Sequence, residues 1–217
     1  MNRWIKRAGL TVLALGGIAG LMVAGALQWA EHKAQRRIEL PPYALTVPGD
    51  AAAVQRGAYL YASRGCADCH GADAAGRTFV EAPDGSLKMH GPNLTPGGSV
   101  AGYTPADWER AIRHGVRRDG RPLRIMPSED YNRFTDADTG AIVAYLRQLP
   151  ATSGGAAELR FPVPMRVLYA FGAIPDAAEK IDHALPPSQP VPEAVDAAHG
   201  AYVANMCIGC HGAHLSG

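Results

Sequence analysis

The chain carries no charged side chain from Ala8 to Ala30, and Arg3, Lys6 and Arg7 precede that stretch. As a helix these 23 residues reach roughly 35 Å, enough for a bilayer core of about 30 Å. Ala24-Gly25-Ala26 offers a small-x-small cleavage site, but a signal peptide's apolar region is usually only about 7 to 15 residues. The pattern therefore favours an uncleaved membrane anchor over 1–30, with a signal helix as the alternative, and either one means export. Lys33, Arg36 and Arg37 on the far side match the leading cations in number, so positive charge alone does not set the orientation.

Beyond the anchor, Pro41, Pro42 and Pro48 suit residues 31–49 to an extended tether. Asp50 is placed to cap a helix running to Arg64, with Gly57, Leu60 and Tyr61 on its packing side. Thr104, Pro105 and Asp107 predict the start of a second helix, whose apolar stripe of Trp108, Ala111 and Ile112 ends at Gly115. Thr135 and Asp138 open a third, which carries Ile142, Val143, Leu146 and Leu149 until Pro150 stops it. Trp108, Tyr145 and Leu146 read as core. Gly- and Pro-rich loops, without period-2 strands, are expected between the helices. Residues 50–150 thus read as one all-α domain. Prolines punctuate 151–192, a linker with room for one short helix around Met165 to Phe171. From Glu193 the earlier pattern returns, so that 193–217 reads as the start of a repeat of 50–150.

Composition changes this picture little. With 217 residues and a formal net charge of +1, the chain can build one or two small cores and lacks the footprint of a nucleic-acid binder. The local run Arg113, Arg117, Arg118, Arg121 and Arg124 reads as a solvated face, with docking toward an acidic partner as the alternative.

Cysteine usage changes it more. All four cysteines fall in two motifs, Cys66-Ala67-Asp68-Cys69-His70 and Cys207-Ile208-Gly209-Cys210-His211. Thiols three positions apart can each form a thioether to a vinyl group of one rigid macrocycle, and the adjacent histidine then lies under the iron. A thioredoxin-like pair would want a βαβ context, zinc would join both pairs into one centre, and a disulfide would not call for a histidine after each pair. The motifs accordingly predict two haem c sites, with Cys66, Cys69, Cys207 and Cys210 as attachment points and His70 and His211 as iron ligands. Met89, His90, His114, Met126 and Met165 are the candidates for a sixth ligand at the first iron. Met126, followed by Pro127 in the loop between the second and third helices, is the best placed to cross to the opposite haem face. Six residues follow His211, so the second pocket is incomplete in this chain: either a longer protein or a neighbouring surface finishes it. His214 reads as a surface residue.

The order of helix, haem motif, Gly91-Pro92-Asn93-Leu94, middle helix, methionine loop and last helix resembles class I cytochromes c. That resemblance implies an all-α cytochrome c fold with one complete domain and the start of a second. It also implies a hydrogen bond from His70 to the Pro92 carbonyl, and Gly57 and Tyr61 packing on the last helix. Gly91-Pro92-Asn93-Leu94-Thr95-Pro96, Asp107 to Arg113, Asp119 to Leu123 and Met126-Pro127 are similar to cytochrome subunits of membrane-bound bacterial dehydrogenases for alcohols, aldehydes and sugar acids. The resemblance implies an electron-transfer protein and not itself an enzyme. Its donor would be a dehydrogenase catalytic subunit, its acceptor a quinone, oxidase or soluble cytochrome, and its soluble part would face the periplasm from a bacterial cytoplasmic membrane. The rival reading is catalysis at an open-site haem, as in multi-haem peroxidases or sulfur-compound oxidases.

Overall fold

A computed structural model describes residues 3–212 and 214–216. Helix α1 (Arg3–Gln35) leads. Among the described residues it is the one helix long and apolar enough to cross a membrane, and nearly all of its surface is exposed. Helix α1 takes up the first residues of the expected tether. The rest of that tether runs extended along the domain and buries Leu45 in its core.

The three helices expected from capping residues are all present. In α2 (Ala51–Ser63) the Asp50 carboxylate accepts the Ala53 N–H at 2.9 Å. In α4 (Pro105–His114) Thr104 and Asp107 cap each other reciprocally, and Thr135 accepts the Asp138 N–H at the start of α6 (Asp136–Gln148). Their apolar faces meet in one core of Leu60, Tyr61, Trp108, Ile112, Phe134, Ile142, Val143 and Leu146. Burial of this kind contributes about 1.5–3 kcal/mol per large side chain. Helices α2 and α6 cross at Gly57, where an added Cβ would overlap the Ala141 carbonyl.

Two short helices complete the haem-motif side: α3 (Cys66–His70), directly after α2, and α5 (Ser128–Tyr131), after the methionine loop. Of the basic run, Arg113 departs from the solvated reading. It is only 1% exposed, donating to the Phe134 carbonyl at 2.7 Å and to Asp136 at 2.8 Å, so it ties α4 to the start of α6.

The loops hold a small antiparallel sheet that the sequence pattern did not announce: β1 (Arg77–Glu81), β2 (Lys88–Gly91) and β3 (Glu158–Arg160), in the order β1-β2-β3. A bulge between Thr78 and Val80 breaks the β1–β2 register, and neither strand alternates in burial. Strand β3 comes from the proline-rich segment, which also carries α7 (Val163–Ala170) and a 3-10 turn at Ala177–Lys180. This segment is strapped to the end of α1 and the residue after it: Lys33 pairs with Glu179 at 2.9 Å, and Arg36 makes a two-pronged pair with Asp176 at 2.6 and 2.9 Å. The chain ends in α8 (Ala197–Ala204) and α9 (Ile208–His211).

Because the α2–α6 crossing has no room for a methyl group, Gly57→Ala is expected to cost about 2 kcal/mol or more and to lower the unfolding midpoint by roughly 5–15 °C. Calorimetry of the holoprotein measures this directly.

Candidate haem sites

The first motif forms a single helical turn. Gly65, in the left-handed conformation, turns the chain out of α2, and α3 places Cys66, Cys69 and His70 together. Tyr61 anchors the end of that turn by donating to the Gly71 carbonyl at 2.6 Å. The Pro92 carbonyl accepts from His70 Nδ1 at 3.0 Å, as the resemblance implied. That bond fixes the tautomer and leaves Nε2 without a hydrogen-bond partner among the described residues.

Several layers hold the Pro92 carbonyl in place. Gly91 ends β2 so close to Cys69 that an added Cβ would overlap the Cys69 carbonyl. After it, Leu94 N–H donates to Ala74 at 2.8 Å, Asn93 N–H to Gly155 at 3.1 Å, and the buried Asn93 side chain to Thr152 at 2.7 Å. The sheet and the proline-rich segment thereby position the acceptor that orients His70.

Burial dominates the electrostatics here. It pushes the Cys66 thiol up to about 12 and raises Cys69 as well, so both favour the uncharged thiol. Burial also lowers His70, against the raising effect of the Pro92 hydrogen bond, and keeps its imidazole neutral, the form that ligates a metal. A neutral histidine with a free Nε2, two thiols on the same turn and a surrounding apolar cluster fit a covalently held haem.

Met126 lies half-buried in the loop before α5 and packs against the same cluster as Cys66, Ala67, Leu94, Val100 and Tyr103. The other candidate sixth ligands are engaged elsewhere. Met89 and His90 lie in β2, and His90 Nδ1 is 3.0 Å from the Thr78 hydroxyl. His114 Nδ1 is 2.9 Å from His183 Nδ1 and its Nε2 is 3.3 Å from Glu109, while Met165 lies on α7.

The second motif has a different setting. Cys207, Cys210 and His211 are all exposed, on a 3-10 turn followed by α9, and His214 is exposed beside them. Among the described residues no three of His, Cys, Asp and Glu gather into a metal cluster, so the two cysteine pairs do not share one centre. Instead the second motif is docked on the first domain. Asp130 accepts the Gly209 N–H at 2.6 Å, Met206 packs against the domain core, and Tyr202 donates to Asp138 at 2.6 Å. The next residue of α5, Tyr131, donates to the Arg64 carbonyl at 2.8 Å, just before the first motif. Helix α5 therefore touches the surroundings of both motifs. Sequence reading missed Asp130, Tyr131 and Met206, because nothing in the pattern of Ser128-Glu129-Asp130-Tyr131 announces a docking platform.

A family model described as cytochrome c oxidase, cbb3-type, subunit III matches residues 52–146. Residues 52–146 are a cytochrome c domain. Its cofactor is haem c. A nicotinate dehydrogenase subunit of Pseudomonas putida is 35% identical over 76% of this chain, which covers 14% of that protein. The fructose dehydrogenase cytochrome subunit of Gluconobacter japonicus is 31% identical over 55% of the chain and 26% of its own length. The cytochrome c subunit of the quinone alcohol dehydrogenase of Gluconacetobacter polyoxogenes is 36% identical over 47% and 23%. The chain thus spans about a quarter or less of each of these relatives.

The Asp130 carboxylate is buried, and a charged acceptor contributes about 1.5–3 kcal/mol per hydrogen bond. Asp130→Ala is therefore expected to speed exchange of the Gly209 amide by about tenfold or more, with Asp130→Asn in between. Residue-resolved hydrogen exchange on the holoprotein checks the order of the three.

Proposed function

We propose that this protein is a membrane-anchored, periplasmic electron relay. It carries one electron at a time through two covalently held haems, from a dehydrogenase catalytic subunit toward a quinone, oxidase or soluble cytochrome. The observation that carries the reading is the His70 site: two thiols and an imidazole on one turn, with the imidazole held in a single tautomer by Pro92 at 3.0 Å. A bound haem supplies the one-electron ferric–ferrous couple; the protein supplies ligands, burial and a docking surface.

Cys66 and Cys69 would hold the first haem, with His70 and Met126 as the side chains that would ligate its iron. His70, made more basic by its hydrogen bond to Pro92, favours the ferric state, while the soft Met126 thioether favours the ferrous state and raises the potential. Leu94, Val100, Tyr103 and Trp108 belong to the same cluster as Cys66 and supply part of that burial. Cys207, Cys210 and His211 would hold the second haem. The dehydrogenase relatives support the donor, and the export-type apolar helix supports the periplasmic side, since c-type haem is attached after export.

Haem content tests the two-site reading. The full chain is expected to carry two haems, and either Cys66→Ala/Cys69→Ala or Cys207→Ala/Cys210→Ala is expected to leave one. A single haem in the unsubstituted chain, lost in the Cys66 and Cys69 variant, would remove the second centre from the proposal.

Met126→Ala is expected to abolish the methionine-ligation signature of the first haem, to open that iron to carbon monoxide and to lower its midpoint. The shift should be a substantial part of the roughly 0.8 V that axial ligation spans. An unchanged reduced spectrum and midpoint would show that Met126 is not a ligand.

A further inference from the structure

We infer that α7 is an interfacial helix: its exposed apolar face sits in the lipid of the bilayer that α1 spans and holds the haem domain against that surface. The inference rests on the anchor reading of α1 and goes beyond it, because a spanning helix by itself puts no other part of the chain in lipid.

The depth of α7 follows from where it touches α1. Ala26 and Ala30 of α1 are buried against Tyr169 and Ala170, and Ala34 and Val167 flank them. The uncharged stretch ends at Ala30. At about 1.5 Å per residue it exceeds a core of about 30 Å by some 5 Å, which places the edge of the hydrocarbon near Gln28 and Trp29 if the stretch is centred. A helix packed on Ala26, Ala30 and Ala34 straddles that edge.

The chemistry of the outward side matches this depth. Pro164, Leu168 and Phe171, spaced i, i+4 and i+7 on one side of the helix, are all exposed, with Leu168 at 46% and Phe171 at 77%. None is charged. Trp29 of α1, 56% exposed, lines the same cleft as Phe171, a pairing of aromatics suited to the headgroup boundary. Arg166 lies beside Gln28 and Glu31 in the neighbouring groove, where a cation can reach the headgroups.

The strap also fixes the helix in this position. Lys33 donates to the Tyr169 carbonyl at 2.9 Å, and the Tyr169 hydroxyl donates at 2.8 Å to the fully buried Asp176 carboxylate that also pairs with Arg36. These polar groups satisfy one another, so the unpartnered side of α7 is purely apolar. In water an apolar face of this size lacks a partner; continuous with a spanning helix, it already has one.

Photo-crosslinking tests the placement in the full haem-loaded chain, reconstituted in vesicles of phosphatidylcholine and phosphatidylglycerol. A benzophenone-bearing phenylalanine analogue replaces Phe171 or, separately, Leu168, with Leu13 in α1 as the anchor control and the exposed Tyr59 of α2 as background. Unchanged haem absorption verifies the fold, and using two positions guards against failure of one.

Mass spectrometry is expected to find phospholipid adducts at Phe171 or Leu168 about tenfold above those at Tyr59, together with adducts at Leu13. Lipid adducts at Leu13 with only background at both α7 positions would overturn the interfacial helix while leaving the anchor. Adducts from α7 to a second copy or another subunit would likewise overturn it. Absence of lipid at Leu13 would bring down the anchor reading and this inference together.

Discussion

The arrangement depends on the backbone contact at Gly57, where α2 lies so close to α6 that its glycine meets the Ala141 carbonyl with no side chain between them. This proximity brings Leu60 and Tyr61 into the same core as Ile142, Val143 and Leu146. Tyr61 in turn reaches the Gly71 carbonyl, and α3 leaves the end of α2 through the left-handed Gly65. The position of the haem motif is thus inherited from a helix crossing that contains none of its ligands. A methyl group at Gly57 would act on the site by displacing the element from which the site grows.

A second dependency links the motifs to one another. Asp130 and Tyr131 are consecutive in α5, and they bond respectively to Gly209 within the second motif and to Arg64 beside the first. Asp138 adds a second tie, since it takes both Arg56 of α2 and Tyr202 of α8 while occupying the first turn of α6. Burial raises Asp130, but the Gly209 N–H works against that shift. The contact is consequently strongest with the carboxylate ionised, and its loss on protonation would loosen the second motif. For electron transfer the relevant quantity is distance, and short polar contacts between rigid helices hold distance better than a flexible linker does.

How legible the molecule was in its sequence can be read from particular residues. Asp50, Thr104 and Thr135 announced three helix starts because capping is local: the same side chain that marks the boundary makes the bond. His70 with Pro92 was legible only through the family likeness, as nothing in the spacing alone fixes that hydrogen bond. The sheet was missed because β1 is mostly exposed and β2 half-buried up to the buried Gly91, so neither alternates, and β3 comes from far along the chain. Pro83-Asp84-Gly85 between β1 and β2 was the available turn signal. Arg113 was misread with its basic neighbours because its burial is decided by the Phe134 carbonyl and Asp136, which only the fold brings to it.

The prolines of the later segment show how one residue type supports opposite readings. Their density suggested a spacer, yet Pro164 sits in the first turn of α7, where a missing N–H costs nothing, and Pro162 precedes that helix in an extended conformation. A chain so punctuated can be stiff and short-ranged instead of loose. That stiffness matters on both sides: β3 supports the loop that holds Pro92 over His70, and α7 grips α1 through Tyr169 and Ala170. The segment is therefore a mechanical link between the site and the helix suited to anchor it. A displacement of α7 would be felt through β3 at β2, and Gly91 at the end of β2 has no space to absorb it against Cys69.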